Sequence, residues 1–154
     1  MPFSDSSLPS IAAADEWSGD TGCGVQCFSQ QALVRLAPHA GITLPAGHPA
    51  EQLEFVQDLH KKGDPRPPWI FETIGVYLGY ALPHYAEMYD FSHLLVLGRV
   101  TSGAGGDLIL QKAKEVLRAD FPELAQRLLL HLPDEKSKRV GQAVAAASLP
   151  EIAK

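Results

Sequence analysis

The residues most able to do chemistry lie in one glycine-rich segment, Gly98-Arg-Val-Thr-Ser-Gly-Ala-Gly-Gly106, which follows an apolar run directly. Glycines let backbone amides approach a phosphate closely, and a helix starting after them adds its positive dipole end. Gly98, Thr101, Ser102, Gly103, Gly105 and Gly106 are therefore candidate nucleotide-contacting residues. The segment lacks the Gly-Lys-Ser/Thr ending of a P-loop and does not match the dinucleotide fingerprint, so the pattern equally fits a tight strand-to-helix connection. Arg99, inside the segment, could meet a phosphate or block a pocket. Cys23 and Cys27 stand four residues apart and could close only a very short loop. They read as reduced, small apolar core residues rather than a disulfide framework. His84 and His93 read as hydrogen-bonded structural residues, and Tyr77, Tyr80, Tyr85 and Tyr89 as packing residues of one helix.

The elements that must position these groups follow from periodicity. Ala32, Leu33 and Leu36 recur at helical spacing after Ser29 until Pro38. Pro49 opens a second helix with Leu53, Val56 and Leu59 on one face, closed by Lys61, Lys62 and Gly63. From Trp69 to about Tyr89 a 3.6-residue period marks the core helix, which Pro83 should kink or restart. His93–Leu97 reads as a strand buried on both faces. A helix is expected from Asp107, acting as its N-cap, to Ala119. A helical turn over 122–127, a second strand Leu128–Leu132, a solvated turn Asp134–Arg139 and a small-residue helix Val140–Ser148 complete the chain. Strand, loop, helix, strand makes a βαβ unit, so the class is α/β with a small parallel sheet.

With 154 residues, 45% hydrophobic and 20% charged, the chain has the composition of one globular domain. Thirteen basic against eighteen acidic residues give a net charge of −5, which argues against nucleic acid or an anionic membrane surface as partner. No segment approaches the roughly 20 apolar residues of a membrane span, and the Ser- and Pro-rich start has no signal-peptide pattern. A cytoplasmic protein is expected, with residues 1–18 a loose leader and 150–154 a tail.

The stretch IGVYLGYALPHYAEMYDFSHLLVLGRVTSGAGG resembles the long helix, strand and adenosine-contacting glycine turn in the C-terminal half of the repressor–ORF–kinase (ROK) family of sugar kinases and regulators. Gly98 takes the place of the family's first glycine and Ser102 stands near its serine. The closing PDEKSKRVGQAVAAASL resembles the family's last helix through Gly141 and Ala143 to Ala147. Gly19-Asp20-Thr21-Gly22-Cys23 matches the second half of the family's zinc signature. The two earlier cysteines fall on Glu16 and Ser18, and the sugar-holding glutamate falls on Val25. A structural zinc needs four ligands, so zinc is not expected.

The resemblance spans about residues 19–149. It implies the C-terminal lobe of an actin-like (ribonuclease-H-like) ATPase, truncated, with 19–68 a helical insertion and 69–149 the core. It also implies ATP with Mg2+ as ligand. A kinase of that superfamily needs an Asp-x-Gly-x-Thr phosphate hairpin and a catalytic Asp, and neither is present, so no catalytic residue is assigned. The expected function is a sugar-kinase-like nucleotide-binding domain that is not catalytic alone; the alternative is a non-catalytic regulatory or interaction module. Because two strands leave open edges, a partner is expected: a second copy, through the helix Trp69–Tyr89, or a separate chain supplying the N-terminal half. Asp20-Thr21-Gly22 also fits a homodimeric aspartic protease, but such proteases are nearly all strand, whereas residues 49–90 are helical in period. Asp20 reads as a turn residue.

Overall fold

The computed structural model describes residues 14–133. The leader up to Ala13, the Asp134–Arg139 turn and the Val140–Ser148 helix lie outside the described residues. Part of the expected leader is nonetheless built: Asp15 starts a turn in which its carboxylate accepts from the amides of Trp17 and Ser18, and Ala14 bridges to Thr21.

Two short helices follow, α1 (Gly24–Phe28) and α2 (Gln30–Leu36). Ser29 breaks them apart and caps the second, its hydroxyl accepting from the Gln31 amide at 3.0 Å. A 3-10 turn at Ala37–Ala40 carries Pro38. Helix α3 (Pro49–Lys61) starts at a capping box, in which the Ala50 amide donates to His48 Nδ1 and the His48 amide to Glu51 Oε2. Asp64 and Arg66 then lock the approach to α4 (Pro67–Met88). Pro67 and Pro68 occupy its first turn, where no amide is needed. Pro83 does not end α4, which runs through to Met88.

Helix α4 is the axis of the molecule: every residue from Ile70 to Gly79 except Glu72 is buried. A helix apolar on most sides must be covered on most sides, and here α1, α2, α3 and α5 (Ala104–Asp120) all pack on it. The closest contact is with α5. At Gly75 an added Cβ would lie 2.5 Å from the Ile109 carbonyl, and at Gly79 2.7 Å from the Val116 Cβ. The two glycines, four residues apart, share one helix face and let the backbones meet.

After α5 come α6 (Pro122–Arg127) and a strand. The strands are shorter than expected, β1 (His93–Leu95) and β2 (Leu129–His131), and they pair in parallel with Leu94 opposite Leu130. The described residues are thus helix-rich with a two-stranded parallel sheet. One expectation fails: the sheet is covered on one face only. Leu130 is buried and Leu94 and Val96 pack on the core. Leu95, Leu97 and Leu129 remain 52%, 45% and 53% exposed. Among the described residues these alternate side chains are therefore only half covered. No helix of the described residues is long and apolar enough to cross a membrane.

Candidate functional site

The glycine-rich segment divides into a surface turn and a packed helix start. Gly98 has φ 137° and Gly103 φ 65°, conformations that favour glycine. Between them Arg99–Thr101 form a 3-10 turn, closed by the Thr101 hydroxyl donating to the Gly98 carbonyl at 2.7 Å. Helix α5 begins at Ala104, three residues earlier than the sequence suggested, so Asp107 sits inside the first turn rather than capping it. Gly105 and Gly106 belong to that first turn because the packing leaves no room for a side chain. A Cβ at Gly105 would lie 2.6 Å from the Phe71 ring, and one at Gly106 would collide with the Thr101 carbonyl.

Of the six candidate contact residues, Thr101, Gly105 and Gly106 are therefore buried in the protein's own packing. Gly98 and Gly103 reach the surface and Ser102 is half-buried. The Ser102 carbonyl accepts from the Gln57 amide of α3 at 3.2 Å, which ties the turn to a third element.

Leu97, Gly98, Arg99 and Val100 form one wall of a cavity of about 320 Å³ whose other wall is Val25, Phe28, Ser29, Gln30 and Gln31, from α1 and the start of α2. Arg99 is the one charged side chain in that lining, and it is exposed. The Gln30 amide oxygen is buried without a hydrogen-bond partner among the described residues. Sequence reasoning singled out neither Gln30 nor Phe28, because nothing in the spacing announces that α1 and α2 fold back to the turn. A wider recess of about 500 Å³ lies between α4 and α6, but Glu87, Asp120 and Glu123 line it against Arg127 alone, which suits a phosphate poorly.

The remaining sequence candidates are placed as follows. Asp20 lies in an exposed turn, its amide bonded to the Ser18 hydroxyl. Cys23 is half-buried with its thiol toward the Asp20 carbonyl. Cys27 is buried, and burial pushes its thiol up from the usual range. No three metal-ligating side chains converge among the described residues. Tyr77 is buried, and burial raises its phenol, although Arg35 hydrogen-bonds to it and acts in the opposite direction. Arg35 also donates to the Gln26 carbonyl, fastening α2 to α1. His84 is exposed. His93 meets His131 across the sheet, ring nitrogens 2.9 Å apart, so one ring donates and the other accepts. The chain matches no family model, no curated protein and no solved structure.

Proposed function

We propose that the chain is a ROK-like, actin-type nucleotide-contacting lobe that binds an adenine nucleotide with Mg2+ and does not transfer phosphate by itself. The observation that carries this reading is the cavity at the carboxyl end of β1, where a glycine turn and a lone arginine face α1 and α2. Parallel α/β units take ligands at the carboxyl ends of their strands. The polyphosphate lies along Gly98–Gly103, with Arg99 as its counter-charge. The base enters between Phe28 and Leu97, where a turn of the Gln30 side chain presents an acceptor to an exocyclic amine. The contact set contracts from the six sequence candidates to Gly98, Ser102 and Gly103, joined by Arg99. Thr101, Gly105 and Gly106 hold the turn in place.

Calorimetric titration with ATP and ADP, with and without Mg2+, tests the reading. Binding is expected for the intact chain, with a loss of at least tenfold in Arg99→Ala and in Gly103→Val while thermal unfolding shows both variants folded. Absence of heat at millimolar nucleotide, or unchanged affinity in both variants, would refute it. Glucose- or mannose-dependent ATP consumption by the pure chain would refute the non-catalytic part.

A further inference from the structure

We propose that the outer edge of β1 is an interface between two copies of this chain, pairing β1 with β1 in antiparallel order about a two-fold axis. The proposal shares Leu97 and Arg99 with the nucleotide reading but rests on the strand edge and not on the cavity. In the parallel ladder the Ser92 carbonyl accepts from Leu129 at 2.8 Å and the Val96 amide donates to His131 at 2.9 Å. Groups alternate along a strand, so His93, Leu95 and Leu97 turn their amides and carbonyls to the opposite edge. No backbone group of the described residues bonds to them there. Edge strands that are meant to stay alone are blunted by charge, proline or a bulge. Residues 91–97, Phe-Ser-His-Leu-Leu-Val-Leu, contain no Lys, Arg, Asp, Glu, Pro or Gly.

The charges flanking this stretch select the occupant. Asp90 precedes it and Arg99 follows it, and both are exposed; Asp90 also lies 3.8 Å from Arg127. Antiparallel pairing centred on Leu95 brings the Asp90 end of one copy beside the Arg99 end of the other. Parallel pairing would set like charges together, which is unfavourable. The same register places Leu95 against Leu95 and His93 against Leu97, so the exposed leucines of both copies form one strip. On the inner side, Leu94 and Val96 of the second copy meet an apolar groove of about 220 Å³ beside the edge, lined by Phe28, Leu78, Leu82 and Tyr85. The result is a four-stranded sheet in the order β2-β1-β1-β2. Along the helix Trp69–Tyr89, the contact suggested by the sequence, Ile70–Gly79 are buried except for Glu72, while Trp69, Tyr85 and Tyr89 expose aromatic rings near its two ends.

Light scattering of the full chain at about 50 μM without nucleotide is the test. The expected mass is twice the 16.6 kDa of the chain. Leu95→Pro removes an amide that β2 does not use, and Leu95→Lys adds a charge at the two-fold axis; each should give a monomer with unchanged helical circular dichroism. Asp90→Arg should weaken the dimer at least tenfold, and adding Arg99→Asp should restore it. A monomeric wild type, a dimer that survives both Leu95 substitutions, or no rescue by the double swap would each overturn the proposal. Because nucleotide is absent throughout, failure here leaves the calorimetric test standing, and the reverse also holds.

Discussion

A methyl group at position 106 would be driven into the Thr101 carbonyl. Gly→Ala inside a helix ordinarily gains up to about 1 kcal/mol. Overpacking at a closed contact costs about 1–3 kcal/mol, so Gly106→Ala should destabilise despite its better helix propensity, as urea unfolding would read directly. An equal or higher midpoint would show that the helix start is looser than described. Asp64 offers a test by pH. Hydrogen bonds from the Arg66 side chain, and then from the Arg66 amide, lower its carboxyl to about 2. A carboxyl whose folded value is depressed contributes stability above its unfolded value of about 3.9, and loses it as pH falls toward the folded value. Asp64→Asn should therefore lower Tm at pH 5 and 7, with the gap to wild type closing between about pH 4 and 2. A gap that persists at pH 2 would place the loss elsewhere, for instance in the Arg66 bond to the Gly41 carbonyl.

Among the elements, α4 and α5 form the frame, and their contact depends on Gly75 and Gly79. Gly79→Ala sets a Cβ 2.7 Å from that of Val116 and should cost about 1–3 kcal/mol. The companion Val116→Gly should recover part of this beyond its own helix-propensity cost, because it removes both the Cβ and the Cγ1 that lie within 3 Å; double-mutant additivity would contradict the close approach. Much of this frame is legible in the sequence. Apolar periodicity marks α2, α3 and α4, Pro49 marks a helix start, and the βαβ order gives parallel strands, whereas α4 opens at Pro67, two residues before the expected Trp69. The start of α5 is not legible, because Gly105 and Gly106 look like loop residues by propensity and are helical only through the Phe71 and Thr101 contacts. Helix α1 is missed for a similar reason. Five residues carry too little periodicity, and tertiary packing on α4 makes the helix. The strands read as buried on both faces because HLLVL is uniformly apolar, whereas the described chain covers one face only.

At the scale of the whole molecule, one face of the sheet packs on the core, the other presents leucines among the described residues, and the Arg99 cavity lies at the carboxyl end of β1. Half of the candidate site was legible. Gly98, Ser102 and Gly103 stand at the surface turn as their types suggest, while Phe28 and Gln30 reach it through a fold-back that no local pattern encodes. The account centres on the division of the glycine segment into a ligand-facing turn and a packed helix start. Amide chemical-shift mapping of the isotope-labelled chain on addition of ATP and Mg2+ tests that division most directly. Saturable shifts are expected at Gly98, Arg99, Ser102, Gly103 and Ser29–Gln31, with little change at Leu95, Glu87 or Glu123. No shifts at millimolar nucleotide, or shifts confined to the acidic recess between α4 and α6, would contradict the account.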